Sequence, residues 1–144
     1  MAARMLLVLT LVFSSAAVVA LDAEQAHILI RQQAPELLGD GSQLVSVYYF
    51  GDSHDLSVVG LERVGDEYLP IRWLVIFEKE TVLGWYYPST EFPVRFDDGH
   101  LIFPKGSRVE DINLLPSPPK AMTIEDQSIL FFTPKSDREA SSSN

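Results

Sequence analysis

One segment of the chain, residues 71–87, is apolar at nearly every position and constrains the fold more than any other. It reads IRWLVIFEKETVLGWYY, and besides Arg72 its charged residues are confined to the triplet at residues 78–80. Its many β-branched and aromatic residues favour two strands joined by a short turn. Because successive side chains of a strand point to opposite faces, both faces of this hairpin are apolar, as in a hairpin covered on two sides.

A two-residue turn at Lys79-Glu80 predicts how the two strands pair. The expected cross-strand neighbours are Phe77 with Val82, Val75 with Gly84, and Trp73 with Tyr86. A helix about 10 Å wide spans roughly two strands, so one helix covers only one face. We expect Gly84 to permit the close approach of that helix. The other face is then closed by strand curvature, by residues 129–132 or by another molecule.

Beyond residue 20, one helix is evident, at residues 23–34. Asp22 can accept hydrogen bonds from the first free amides, and Ala26 and Ile30 recur at helical spacing. Pro35 disfavours helical geometry at the residue before it, so the helix ends or kinks there.

After Gly41 the apolar pattern changes to a period of two. This predicts further strands at residues 43–50, 55–64, 92–96, 101–103 and 128–133. Asp98-Gly99 separates two of them and tolerates the positive φ angles of a tight hairpin turn. The sequence therefore predicts an α+β fold, in which an N-terminal helix packs on a curved antiparallel β-sheet built as a meander of hairpins.

Residues 1–20 have the pattern of a secretory signal peptide. Arg4 precedes the apolar run of residues 6–13, and the small residues Val18 and Ala20 suit a cleavage site. We predict a single α+β domain at residues 21–135 and a disordered polar tail at residues 136–144. The predicted location is secreted or periplasmic, with no membrane span after cleavage.

The charge of the chain restricts its partners. The 144 residues carry a net charge of −9, and residues 1–20 contain one basic and no acidic residue, so their removal leaves 124 residues with a net charge of −10. Such a domain repels nucleic acid and anionic membrane surfaces, whereas a basic protein is attracted. The chain has no cysteine, so no disulfide supports the fold.

Two short motifs suggest an enzyme as an alternative. Phe50-Gly51-Asp52-Ser53 follows an apolar strand, and Asp97-Asp98-Gly99-His100 lies further along. Together they resemble two sequence blocks of the GDSL-type esterases and lipases. The resemblance implies that Ser53 is a nucleophile, His100 its base and Asp97 the residue that orients the base. The Gly-x-Asn-Asp block of that family is missing, and its alternation of helices and parallel strands does not occur here.

A metal site is a second chemical interpretation of these turns. Asp52, His54, Asp98 and His100 are among the side chains that could bind a metal ion if the two turns met. Aspartate is common in turns because it hydrogen-bonds to the backbone, so we predict no metal ion and no cofactor.

We therefore expect an exported, non-catalytic domain that binds a protein partner, as an inhibitor, an immunity protein or an accessory protein of the envelope. The expected contacts are aromatic anchors surrounded by acidic turns. These residues are Trp73, Trp85, Tyr86, Tyr87, Asp52, Asp55, Asp97 and Asp98. The alternatives are a small serine hydrolase built on Ser53, Asp97 and His100, and a carrier of a small apolar ligand in a closed pocket.

Overall fold

The computed structural model describes residues 21–109 and 111–135. In this part of the chain, helix α1 (Ala23–Gln33) and a 3₁₀ turn (Pro35–Leu38) precede nine strands. The strands are β1 (Leu44–Ser53), β2 (Leu56–Val64), β3 (Pro70–Glu78), β4 (Thr81–Tyr87), β5 (Arg95–Asp97), β6 (His100–Ile102), β7 (Ile112–Asn113), β8 (Ala121–Ile124) and β9 (Gln127–Phe132). The predicted α+β class is confirmed. The predicted signal peptide and tail lie outside the described residues.

The strands form two antiparallel sheets. The larger has six strands in the order β1-β2-β3-β4-β9-β8, and the smaller has the order β5-β6-β7. The first four strands follow one another as hairpins, which confirms the predicted meander. β9 comes from much later in the chain and pairs with β4. The aromatic hairpin β3–β4 therefore lies inside the sheet, with a further strand on each side.

Helix α1 begins and ends where its sequence predicts. The Asp22 carboxylate accepts a hydrogen bond of 2.8 Å from the Gln25 amide, which satisfies one of the free N–H groups of the first turn. The helix ends at Gln33, two residues before Pro35. Pro35 is the first residue of the 3₁₀ turn that follows, and Ala34 lies between the two elements.

Two side chains attach this helical segment to the sheet, and neither attachment was evident from the sequence. The Gln33 amide group donates to the Glu80 carbonyl oxygen at 2.7 Å and accepts from the Val82 amide at 2.8 Å. At the 3₁₀ turn, the Arg63 guanidinium donates to the Leu37 carbonyl oxygen at 3.2 Å. A cation is favourable there because the last carbonyl groups of a helix have no partner within it.

Helix α1 covers one face of the large sheet and forms the first core with it. The buried strand residues of this core are Val59, Leu61, Trp73, Val75, Phe77, Val82 and Trp85. Both tryptophans therefore lie beneath the helical segment, and their exposed fractions are only 6% and 8%. Each large apolar side chain buried in this way contributes roughly 1.5–3 kcal/mol to stability.

The opposite face of the large sheet is closed by the small sheet together with β8 and β9. Leu74, Ile76 and Tyr86 point to this side and are completely buried. They belong to a second core with residues of the later strands, namely Phe96, Leu101, Ile112, Met122, Ile124 and Ile129. The sequence left three ways to close this face: strand curvature, residues 129–132 or another molecule. Residues 129–132 do take part, and the small sheet and β8 also cover the face.

The pairing of β3 with β4 is partly as predicted. Lys79 and Glu80 form the turn and Phe77 pairs with Val82, as expected. The predicted pairs further along the hairpin are wrong, because Ile76 pairs with Gly84 and Leu83 is an extra residue, a β-bulge. The bulge reverses the alternation of side chains after Val82. Trp85 therefore pairs with Val75 and points into the first core.

Glycine is required at position 84 because another element lies very close to it. That element is not the helix that the sequence analysis predicted. A side chain at this position would collide with the Phe132 carbonyl oxygen, and its Cβ would lie 2.6 Å from an atom of the Phe131 ring. The element that approaches Gly84 is therefore β9, not α1. A glycine inside a strand commonly marks such a contact.

We expect the substitution Gly84→Ala to lower the free energy of unfolding by about 2 kcal/mol, because the added methyl group forces β9 away from β4. The matched control is Gly65→Ala, where the Cβ would meet only the flexible end of the Gln43 side chain, at 3.1 Å. This control should change stability by less than about 0.5 kcal/mol. Urea unfolding followed by tryptophan fluorescence measures both values, and equal effects would contradict the proposed contact.

Candidate functional site

Three of the four predicted aromatic contact residues are part of the core. Trp73, Trp85 and Tyr86 are buried, whereas Tyr87 keeps an exposed fraction of 37%. The Trp73 ring lies 4.6 Å from the Arg63 guanidinium and is stacked on Tyr87, with the ring centroids 5.2 Å apart. The buried three fill space between the layers of the protein. They do not form a surface on which a partner could dock.

The Tyr86 hydroxyl shows how completely this face is closed. It donates a hydrogen bond of 2.6 Å to the Pro119 carbonyl oxygen, in the proline-rich connection between β7 and β8. Burial raises the pKa of Tyr86 well above its usual value of 10.0. The side chain expected to contact a partner instead holds a loop of its own chain against the sheet.

The acidic turns, in contrast, are brought together at one end of the molecule. The β1–β2 turn contains His54 and Asp55, and the β5–β6 turn contains Asp98 and Gly99, each residue with a positive φ. His54 Nε2 lies 3.7 Å from Asp98 Oδ1. The predicted Asp98-Gly99 hairpin is confirmed, with Asp97 opposite His100.

We call this region the acidic end and define it by Asp52, Asp55, Asp97 and Asp98, all of which are exposed. Gly51 explains why its two turns meet. The Phe96 carbonyl oxygen of β5 occupies the space that a Cβ at Gly51 would need. The β5 backbone therefore lies directly against β1, which brings both turns to the same end. The glycine of the esterase-like motif thus has a structural reason to be present.

Tyr49 borders the acidic end. Its hydroxyl donates a hydrogen bond of 2.9 Å to Asp52 Oδ1. A β-bulge between Tyr49 and Gly51 places the tyrosine and the aspartate on the same face of β1, although they are three residues apart. Burial, together with the hydrogen bond and the charge of Asp52, raises the pKa of Tyr49 to about 12.

The residues of the esterase-like motifs are arranged differently from what the resemblance implies. His100 Nδ1 lies 2.8 Å from Asp111 Oδ1, so the carboxylate that contacts this ring is Asp111 and not Asp97. Ser53 is the last residue of β1. Among the described residues, no hydrogen bond joins Ser53 to His100. The observed contacts therefore give the hydrolase alternative no support.

The structure also bears on sites for metal ions and small ligands. Within residues 21–109 and 111–135, no group of three or more histidine, aspartate or glutamate side chains could hold a metal ion. A cavity of about 330 Å³ lies between β7 and β8 and is lined by residues that include Asp111, Asn113 and Thr123. It is open to solvent and contains none of the aromatic residues of the β3–β4 hairpin. It is therefore not the closed apolar pocket expected of a carrier.

The outer edge of β1 is a feature that sequence reasoning missed. β1 is the first strand of the large sheet and pairs only with β2 in the part of the chain that is described. Leu44 has an exposed fraction of 70% and Tyr48 of 43%. An edge position depends on which strands pair, and residues 43–50 alone carry no signal for it.

The chain matches no protein-family model, no curated protein and no solved structure. The described residues include no helix that is both long enough and apolar enough to cross a membrane.

We expect Tyr49 to stabilise the fold in a pH-dependent way. Its pKa rises from 10.0 to about 12 in the folded protein, which favours the protonated form. Its contribution is therefore fully present below pH 10.0 and is lost as the pH rises through about 12. The difference in the free energy of unfolding between the native chain and Tyr49→Phe should change across this interval. The difference between the tyrosine absorbance titrations of the two proteins reports Tyr49 alone, and a midpoint near 10.0 instead of about 12 would contradict this assignment.

Proposed function

We propose that this chain is an exported, non-catalytic domain that binds a basic protein partner through its acidic end. The observation that carries the proposal is the contact between the two aspartate-bearing turns, marked by His54 and Asp98 at 3.7 Å. This contact gathers four exposed carboxylates on one surface. Tyr49 borders that surface, and tyrosine is common among the residues that contribute most to binding.

Charge supports a basic partner. The whole chain carries a net charge of −9, and the four carboxylates that define the acidic end are exposed. Two basic side chains contact these carboxylates: His54 Nε2 lies 3.7 Å from Asp98 Oδ1, and Arg95 Nε lies 3.9 Å from Asp97 Oδ2. The negative potential accelerates the encounter with a positively charged protein and disfavours nucleic acid.

The proposed location is secreted or periplasmic. The support is the sequence pattern of residues 1–20, a basic residue followed by an apolar run and small residues. In such a compartment, a small acidic domain could act as an inhibitor or immunity protein against a basic enzyme, or as an accessory protein of the envelope. All three roles use the same contact surface.

Replacement of the four carboxylates tests the proposal. In the variant Asp52→Asn/Asp55→Asn/Asp97→Asn/Asp98→Asn, the turns should persist, because asparagine also tolerates the backbone angles of a hairpin turn. The matched control removes four exposed negative charges elsewhere: Glu24→Gln/Glu36→Gln/Glu125→Gln/Asp126→Asn. Both variants therefore have the same net charge.

Capture from an envelope extract by the immobilised domain, followed by mass spectrometry, provides the measurement. We expect a basic protein that is retained by the native domain and by the control, released at high salt, and reduced at least roughly tenfold on the first variant. Equal retention by both variants would show that the acidic end is not the contact surface.

A further inference from the structure

The outer edge of β1 (Leu44–Ser53) is long and pairs with no other strand in the described part of the chain, although the β5 backbone approaches β1 at Gly51. It spans 10 residues, whereas the other edge strand of the large sheet, β8, spans 4. An edge strand presents a row of backbone N–H and C=O groups without ladder partners. β1 therefore offers the longer template for the addition of a further strand.

The first part of this edge lacks two of the features that usually prevent strand addition, a charged residue and a proline, whereas the β-bulge between Tyr49 and Gly51 and the adjacent β5 backbone protect its end. Residues 44–51 read LVSVYYFG and include neither a charged residue nor a proline. Natural edge strands are commonly protected by lysine, by proline or by a covering element. Tyr48 and Tyr49 are adjacent, so they project from opposite faces of β1 and could flank a strand laid along it.

Negative charge is present at both ends of this uncharged stretch. The acidic end follows β1, and a second acidic group surrounds its start, formed by Asp40, Asp66 and Glu67. These residues lie near one another because Leu44 pairs with Val64 and the Gln43 side chain lies beside Gly65. The Asp40 carboxylate accepts hydrogen bonds from the Ser42 hydroxyl and amide, which lower its pKa and keep it ionised.

Basic residues offset these charges only in part. At the start of β1, the Arg63 guanidinium lies over the Trp73 ring and donates to the Leu37 carbonyl oxygen, so it is held by the protein itself. At the acidic end, Arg95 faces a single carboxylate, that of Asp97. Each end of β1 therefore remains negative.

This charge pattern decides which occupant fits. If two copies of the chain paired through β1, an antiparallel arrangement would place the start of each strand beside the end of the other, and a parallel arrangement would place like ends together. Acidic groups would face acidic groups in both cases. A partner strand with the opposite pattern, basic at both ends and uncharged between them, is attracted in either direction.

We infer that β1 binds an extended segment of the partner protein by accepting it as an additional strand of the large sheet, and that this segment has an uncharged centre with lysine or arginine at each end. The inference rests on the proposed function, because it specifies how the basic partner is held. Backbone hydrogen bonds provide the affinity, and the two basic ends provide the selectivity. At about 3.3 Å per residue, basic ends separated by roughly eight residues match the two acidic groups.

A synthetic peptide of about twelve residues, with lysine pairs at its ends and alternating threonine and valine between them, tests the inference. Its binding is measured by titration calorimetry with the native chain. The same peptide with glutamate ends should bind at least roughly tenfold more weakly. The lysine peptide N-methylated at every central residue should lose binding, because neither of its edges can then donate the ladder hydrogen bonds. Neither comparison requires any change to the folded protein.

Hydrogen exchange identifies the strand that is used. Binding of the lysine peptide should slow exchange at backbone amides of β1 and leave those of β8 unchanged. Protection at β8 instead, or equal affinity for the N-methylated peptide, would overturn the inference.

A pair of variants connects this test to the natural partner. Tyr48→Lys places a positive charge on the edge and should weaken binding at least roughly tenfold. Leu130→Lys places the same charge on β9, at a residue with an exposed fraction of 53%, and should have little effect. If the captured partner is lost with the acidic-end variant but retained by Tyr48→Lys, the strand-addition inference fails and the proposed function stands. If both variants retain it, both proposals fail.

Discussion

The fold depends on the burial of β3 from both sides. Trp73, Val75 and Phe77 point into the core beneath α1, while Leu74 and Ile76 point into the core on the opposite face. A strand of this kind is stable only between two layers, because leaving either side in water forgoes several large apolar contacts. The helix provides one layer. The small sheet, β8 and β9 provide the other, so residues distant in the chain complete the structure that the aromatic hairpin requires.

The local elements of this structure were predictable because their signals are contained in a few neighbouring residues. The Asp22 cap, the stop before Pro35, the Lys79-Glu80 turn and the Asp98-Gly99 turn all follow from short-range chemistry. The bulge at Leu83 was not predictable in this way, since the strands on both sides of the hairpin influence its register. A strand as short as β7 is too short to show an alternation of apolar and polar residues. The pairing of β9 with β4 joins residues more than forty positions apart, so no local signal predicts it.

The same difference between local signals and long-range contacts explains which features of the candidate site were predictable from the sequence. The aspartates were recognised individually as turn residues, but their meeting depends on the contact of β5 with Gly51, which connects distant parts of the chain. The predicted aromatic anchors are buried because both faces of the sheet are covered: Trp73 and Trp85 lie beneath α1, and Tyr86 lies on the opposite face. Once Phe96, Leu101 and Ile129 cover that face, Tyr86 becomes part of the interior. Tyr87 alone of the predicted aromatic contacts retains substantial exposure.

The acidic groups at the two ends of β1 also bear on the colloidal behaviour of the protein. At neutral pH the repulsion between these acidic groups opposes contact between the β1 edges of neighbouring molecules. At the isoelectric point of about 4.6, calculated from the sequence, the net charge of the chain is zero. Acidification toward this point weakens that repulsion while leaving the unpaired edge of β1 in place.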